Sequence, residues 1–584
     1  MIRLPWTPQQ TAMERQTSDD VSQAAQRMLG LTPHAVQIQG GLEVSRGRIA
    51  EMETGEGKTL AAVLPATLHA RAGRPVLIAT ANDYLATRDA EAMSPLYAAL
   101  GLRVAAITAG LSRSERWQRY QHDIVYGTAR EFGFDYLRDH LEQRRREQGE
   151  AALLGGAPQR VHRAPGFLLL DEADSLMIDE ARTPLLISGP TGPVDFVHEA
   201  SYRWATLAAD KFIEGTDFLR LGASGWPAIT SEGRRKFRQI ELPPALDSLG
   251  LTELHHALER ALFVQLRYRR DQHYVVRDQQ VQIVDEFTGR IQSGRQWNDG
   301  IHQAIEAREG VPLTAESGCL AQVTLQTFIR RYPSIGGMTG TAREAAQEFR
   351  AVYGMELSRI PTHRPLRRVD LGAIVCRSMD EKWDSITRES LAMQQAGRAV
   401  LIGTPSIELS MGLAERLREA GLSPVVLNAL NPEKEADVIA QAGQPGAITV
   451  ATNMAGRGTD IKLADSVRDR GGLHVICSES HASGRIDRQL TGRCGRQGDP
   501  GSYRHYHSLD DQLLLLTNGP DWVERRRRRW SGTSPTVGVS HFERAQRQIE
   551  RDDLQARLDL DERDHQRHIA SLALGLDPVL DAIT

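Results

Sequence analysis

Cysteine is scarce: the 584 residues hold four, at Cys319, Cys376, Cys477 and Cys494, with no CxxC pair and no histidine-rich tract beside them. That scatter excludes a disulfide framework and a clustered zinc site, and the expected setting is reducing and cytosolic. Long apolar runs are missing too. Nowhere do eighteen apolar residues follow one another, and Pro5, Pro8 and several charges break up the opening MIRLPWTPQQTAMERQ. Neither a transmembrane helix nor a signal-peptide core is expected, so any membrane contact would be peripheral. An excess of one charge is also absent: 71 Lys and Arg face 75 Asp and Glu, a net −4. Bulk electrostatics therefore does not hold this chain to nucleic acid or membrane, and any basic surface must be local.

With 40% hydrophobic and 25% charged residues, the composition is that of a soluble globular protein. At roughly 150 residues per domain the length suggests about three or four domains. Short runs rich in Val, Ile and Leu, separated by helix-length segments, occur at 74–80, 102–108, 123–128 and 166–174, and again at 399–404, 423–429, 447–455 and 472–480. Such spacing predicts two parallel sheets covered on both faces. Between them the chain turns polar and richer in Pro and Gly, and HYVVRDQQVQIVDE (273–286) has the pattern of a hairpin. After about Leu516 that texture stops. Phe542, Ile549, Leu554, Leu558, Ile569 and Leu572 then recur at near-helical spacing, predicting a long amphipathic helix.

These patterns predict an α/β fold of two parallel-sheet lobes with an inserted α+β domain, and the order of the nucleotide motifs at 51–60, 170–174, 339–341 and 489–501 makes those lobes RecA-like. The expected order is an N-terminal helical segment (1–34), a first lobe (35–190), the insert (191–315), a return to the first lobe (316–345), a second lobe (346–515) and a short helical region (516–584). Two arginine runs stand apart: Arg144 to Arg146 in the loop-like LEQRRREQGE, and Arg525 to Arg529 before Trp530. Each is either a solvated helix face or a contact for anionic lipid or nucleic acid, and the residues alone do not decide.

EMETGEGKTL (51–60) follows an apolar stretch and leads into a helical one. A glycine-rich turn there lets backbone N–H groups close around phosphate oxygens. Lys58 can reach the β and γ phosphates, and the Thr59 hydroxyl can ligate Mg2+. Met52 stands where the general phosphate-loop template has glycine, a departure met in helicase-type ATPases. LLLDEAD ends an apolar strand with carboxylates at the ligand-binding edge of a parallel sheet. There Asp171 would hold Mg2+, and Glu172 would position and deprotonate the attacking water. Further on, NMAGRGTDI (453–461) and QLTGRCGRQGDPG (489–501) place Arg493 and Arg496 among glycines, where a guanidinium fork could meet a transferring phosphate. The order of phosphate loop, acidic strand end, TGT (339–341) and GRxGR describes two lobes clamping one ATP.

VQIQGG (36–41), ANDYLATRDAE (81–91), YGTAREFGFDYLRD (126–139), LDEADSLMIDEARTPLLISGP (170–190), VDEFTGR (284–290), WNDGIHQAIEAREG (297–310) and GMTGTAREAAQEF (337–349) join the segments above in a pattern that closely resembles the SecA family, the ATPases that drive preproteins through the bacterial Sec channel. The resemblance covers about residues 30–515. It implies ATP and Mg2+ as cofactors, with Gln37 reading the adenine edge and Gly55, Glu56, Gly57, Lys58 and Thr59 forming the phosphate loop. Asp171 and Glu172 would be the magnesium ligand and the base, Arg493 and Arg496 the second-lobe arginines, and Asp460 a residue coupling that lobe to nucleotide. The implied partners are an unfolded preprotein, gripped by the insert, and the Sec channel at the cytoplasmic face of the inner membrane. Anionic lipids and a homodimer are compatible with it, and nucleic acid is not expected.

Ser480, Gly484 and Thr491 replace residues that are usually arginine in the family, which implies weaker contacts between lobes. The region after 516 is expected to supply part of a scaffold helix, without a wing domain or a cysteine-rich tail. Two other readings remain on sequence alone: an RNA-dependent DEAD-box-like ATPase, favoured by the literal DEAD, and a regulatory ATP-binding adaptor.

Overall fold

A computed structural model describes residues 8–147, 160–162, 166–181, 183–190, 196–221, 226–247, 249–270, 273–277, 279–284, 291–292, 297, 300–314, 317–427, 438–439, 441–452, 460–530 and 538–580. Residues 285–290, 298–299 and 453–459, which carry parts of VDEFTGR, WNDG and NMAGRGT, lie outside them. The chain forms two compact units, Met1–Leu185 with Val323–Pro578, and Leu186–Gln322 with Val579–Thr584.

The first unit holds two parallel sheets. One is built from β1 (Ile49–Glu51), β2 (Val76–Thr80), β3 (Val104–Ala106), β4 (Ile124–Thr128), β5 (Phe167–Asp171), β6 (Ser334–Thr339) and β7 (Leu357–Arg359), in the order β7-β1-β6-β5-β2-β4-β3. Central β5 explains the apolar run: Phe167 to Leu170 are wholly buried, each side chain contributing about 1.5–3 kcal/mol of burial. β7 falls in the stretch expected to begin the second lobe at 346, yet it pairs with β1. The second sheet starts only at Arg367, and three residues such as Leu-Ser-Arg carry too little pattern to mark the change.

That second sheet is β8 (Arg367–Cys376), β9 (Val400–Thr404), β10 (Pro424–Leu427), β11 (Ile448–Thr452), β12 (Leu473–Cys477) and β13 (Pro500–Ser508), ordered β8-β13-β12-β9-β11-β10 and parallel throughout. Successive side chains point to opposite faces. Val400, Ile402 and Ile476 enter one core, while Leu401, Val475 and Cys477 enter the other. β13, PGSYRHYHS, is polar and is held by polar contacts instead. Tyr506 and Arg504 both reach Glu389, at 2.5 and 2.9 Å, and the Ser502 hydroxyl meets the buried His474 Nδ1 at 2.8 Å.

Helices α1 (Pro8–Leu29), α2 (Ala35–Ser45) and α3 (Lys58–Arg71) pack on the first sheet, where Val21, Ala24 and Ala25 of α1 join the core of α3. In the second lobe, α4 (Gly484–Thr491) follows β12. α5 (Val539–Ala573) is the long helix expected after 516. Its early turns hold the second lobe: Phe542 stacks on His507 with ring centres 4.4 Å apart, Gln546 Nε2 donates to Asp487 at 2.8 Å, and Glu550 accepts the Gly484 N–H at 2.8 Å. Its later turns hold elements flanking β6. There Arg557 Nη2 donates to Glu348 at 3.0 Å, and Asp564 accepts from Thr324 at 2.9 Å. The apolar stripe runs out before the helix does, leaving Ile569 and Leu572 exposed.

The arginines at 144–146 do not lie in a loop but in the last turn of the helix Ala129–Glu147. Cations there complement the helix dipole, and Arg146 pairs with Glu142 one turn back at 3.5 Å.

The second unit contains the stretch 191–315. Helices Phe196–Ala209, Leu251–Arg267 and Ile301–Glu309 supply most of its buried apolar residues. Tyr274–Arg277 and Gln280–Val284 pair antiparallel, with Gln280 opposite Arg277, as the hairpin pattern predicts.

Candidate active site

β1 ends at Glu51, and the chain turns through Met52–Gly57 into α3. Gly55 and Gly57 have φ of 92° and 78°, a region that costs glycine little, so the turn can fold its N–H groups around an anion. Met52 is buried against α2. A Cβ on Gly40 would lie 2.6 Å from its sulfur, and one on Gly41 would lie 2.8 Å from the Ala61 carbonyl. The paired glycines of VQIQGG thus make room for both the methionine and α3, which accounts for the departure from the phosphate-loop template.

β5 delivers Asp171 at the sheet's C-terminal edge, and Glu172 follows with φ 53°, a left-handed conformation rare for a side-chain-bearing residue. Glu172 Oε1 lies 2.8 Å from Lys58 Nζ. Burial by itself would lower the Lys58 pKa, but the carboxylates of Glu172 and Asp171 outweigh it and hold the ammonium above its ordinary range. At Asp171, burial and the neighbouring Glu172 charge push the carboxyl up to about 7, against the pull of Lys58. Asp171 and the hydroxyl-bearing second residue of α3, Thr59, are hard oxygen donors of the kind Mg2+ takes, and its charge would offset the repulsion at Asp171.

Asp174, the last residue of DEAD, is wholly buried and works as a hub rather than a ligand. Thr339 and Thr341 hydroxyls donate to it at 2.6 and 2.8 Å. From α4 in the second lobe, Arg485 Nη1 and Gln489 Nε2 each donate to it at 2.8 Å, and Arg485 Nη2 also reaches Asp179 at 2.6 Å. Burial opposes the Arg485 charge, but Asp174 and Asp179 hold its pKa above its ordinary range. One turn along, Arg488 pairs with Glu344 and lies 3.4 Å from Glu51, whose carboxylate also accepts the Ala342 and Arg343 N–H groups at 3.1 and 3.0 Å. The lobes therefore meet through Arg485, Arg488 and Gln489. Sequence reading passed these over, although their i, i+3, i+4 spacing puts them on one helix face. None of the three is at a position where the resemblance implies a lost arginine.

Arg496 lies against the phosphate loop. A Cβ on Gly55 would come 3.1–3.2 Å from its methylene carbons, and the adjacent Gln497 donates to the Gly55 carbonyl at 3.2 Å. Its guanidinium is held at 2.5 Å by Asp460 and donates from Nε to the Gly492 carbonyl at 3.0 Å. Arg493 is half-buried just beyond α4, where its backbone N–H donates to the Leu490 carbonyl at 3.0 Å. Gln37 is engaged with its own lobe: Nε2 donates to the Glu56 carbonyl at 2.8 Å, and Oε1 accepts the His34 N–H at 2.8 Å. An amide offers two donors and two lone pairs, so one of each remains to meet a base edge. Lys58, Asp171, Glu172, Gly55, Glu56, Gly57, Gln37, Asp460 and Arg496 are linked through these contacts, and Arg493 follows α4 three residues before Arg496.

Two RecA-like sheets that close on one phosphate loop define a two-lobed, helicase-type P-loop ATPase. The family model described as the SecA DEAD-like domain matches residues 10–350, and that of the SecA P-loop domain matches 365–469 and 462–528. This chain belongs to the SecA family. It is 42% identical over 576 residues to the protein translocase subunit SecA 2 of Rhodopirellula baltica, covering 96% of this chain and 88% of that one. It is also 45% identical over 507 residues to the protein translocase subunit SecA of Caldicellulosiruptor saccharolyticus and 46% over 506 residues to that of Campylobacter concisus. It spans 58% and 57% of those two relatives' lengths. Among solved structures, Dbp5 of S. cerevisiae bound to RNA and ADP BeF3 aligns with a TM-score of 0.41 at 12% identity, covering 91% of this chain and 97% of that one.

Proposed function

We propose that this chain is an ATP-driven motor of the SecA type, coupling hydrolysis to the movement of an unfolded preprotein through the Sec channel. The observation that carries it is the seating of Arg496 and Gln497, from the second lobe, on Gly55 of the phosphate loop in the first. A nucleotide bound there must touch both lobes, so the state of its γ phosphate alters how they fit together.

Lys58, drawn from Glu172 to the β and γ phosphates, neutralises their charge and leaves the Glu172 carboxylate free to take a proton from the attacking water. Thr59 and Asp171 would hold Mg2+, which when bound would supply neutralising charge to the phosphates. Asp460 holds Arg496 beside the loop until a phosphate oxygen competes for the guanidinium. Gln37 offers its remaining N–H and lone pair to adenine.

The unit containing residues 191–315 would hold the peptide through backbone and generic apolar contacts, as suits a client range of many sequences. Among the described residues no helix is long and apolar enough to cross a membrane, which is compatible with peripheral binding at the cytoplasmic face. There Arg525, Arg526 and Arg528, near the end of the helix Pro520–Arg528, would face anionic headgroups. The test is ATP turnover by the purified chain alone, with unfolded preprotein, and with membranes carrying the Sec channel. Acceleration by preprotein and membranes together supports the reading. No stimulation by either, or strong stimulation by single-stranded RNA instead, overturns it.

A further inference from the structure

The connector between the two sheets, residues 360–366, meets the phosphate loop at Glu56. His363 stacks face to face on His34, with ring centres 3.6 Å apart and planes 6° from parallel, and both residues are exposed. The His363 N–H donates to Glu56 Oε2 at 2.8 Å. His34 caps α2, and its own N–H donates to Gln37 Oε1 at 2.8 Å, while Gln37 Nε2 bonds the Glu56 carbonyl at 2.8 Å. Four residues thus close a ring: the base-reading amide, the phosphate-loop glutamate and two stacked imidazoles. A spacing of 3.6 Å is one aromatic thickness. A base brought to the free edge of Gln37 finds its stacking face, His34, already covered by His363.

From this geometry we infer that His34 is the stacking platform for the base and that His363 is its displaceable stand-in, so that a bound purine lifts the connector off Glu56. The displacement has somewhere to go. Arg364, the next residue, packs on Gly498 of the second lobe, where an added Cβ would lie 3.0 Å from its Cβ and Cδ, and Gly498 is two residues from Arg496. The phosphates engage Lys58 without touching the stack, whereas the base moves the segment joining the lobes. A phosphate chain without a base would occupy the loop and leave the connector in place.

This inference rests on the ATPase reading, and the experiment separates the two. The full chain is titrated with a fluorescent ADP analogue, and ADP, GDP and inorganic pyrophosphate are then used as competitors against wild type, His34→Ala, His34→Phe and His363→Ala. His34→Ala should weaken ADP about fivefold to a hundredfold, the usual worth of a base stacked on an aromatic ring. Pyrophosphate affinity should stay the same, and His34→Phe should restore ADP binding. His363→Ala removes the competitor and should tighten ADP, again leaving pyrophosphate unmoved. If the ratio of ADP to pyrophosphate affinity is unchanged in His34→Ala, or if His363→Ala weakens ADP, the inference is overturned while the ATPase reading stands. Wild type that binds neither ligand overturns both.

Discussion

Glu172 holds a left-handed backbone conformation, φ 53°, that costs a side-chain-bearing residue on the order of 1–3 kcal/mol. The position aims its carboxylate at Lys58, so the strain is tied to the chemistry. Glu172→Gln keeps the backbone and the hydrogen-bonding shape but cannot accept a proton. It should bind ATP while hydrolysis falls about a hundredfold to ten-thousandfold, a split read by nucleotide titration beside steady-state turnover. Lys58→Ala should lose turnover outright, and a variant of either kind with wild-type rates would remove the assigned roles. Arg485 makes a different case, since it touches no phosphate. Removing it takes from Asp174, buried among Thr339, Thr341 and Gln489, the guanidinium that pairs with it. Arg485→Ala should cost about 3–5 kcal/mol in urea unfolding, and a loss below 1 kcal/mol would show that the hub does not bind the lobes together.

Among the elements, α5 fastens the second lobe through Gln546 and Glu550 and reaches the first through Arg557. Arg557 and Glu348 are both buried, so Arg557→Met alone should be strongly destabilising, and adding Glu348→Leu should recover most of the loss. If the double variant is no better than the single one, the pair is not what holds the helix. The same junction carries a pH signature. Burial pushes Asp487 up to about 7, against the His481 N–H and Gln546 bonds that favour its ionised form. A carboxyl whose folded pKa lies above its unfolded value binds a proton on folding, so stability declines as pH rises from about 4 to about 7. Asp487→Asn should flatten that decline in thermal melts taken between pH 5 and 8, and an unaltered slope would contradict it. What the sequence reveals at this scale follows burial. Eight apolar runs became strands, because a sheet covered on both faces demands them. Within these two sheets the other five strands carry too short or too polar a pattern to stand out: three-residue β1 and β7, glycine-rich β6, largely exposed β8, and β13 with its polar ladder to Glu389 and His474.

For the whole molecule, the phosphate loop and the acidic strand end were legible because their chemistry is written in a few adjacent residues. The junction of the lobes was not: Asp174 and Arg485 are 311 positions apart, and only folding places them 2.8 Å from each other. The connector is hidden in the same way, since His34 and His363 carry no shared pattern. Seating both lobes on one nucleotide is the claim on which the motor reading depends, and Arg496 is the residue that makes it. Single-turnover hydrolysis by Arg496→Ala, with ATP affinity measured alongside, tests it most directly. The expected result is near-normal binding with hydrolysis reduced by about three orders of magnitude or more; hydrolysis at the wild-type rate would mean that the second lobe takes no part in the chemistry.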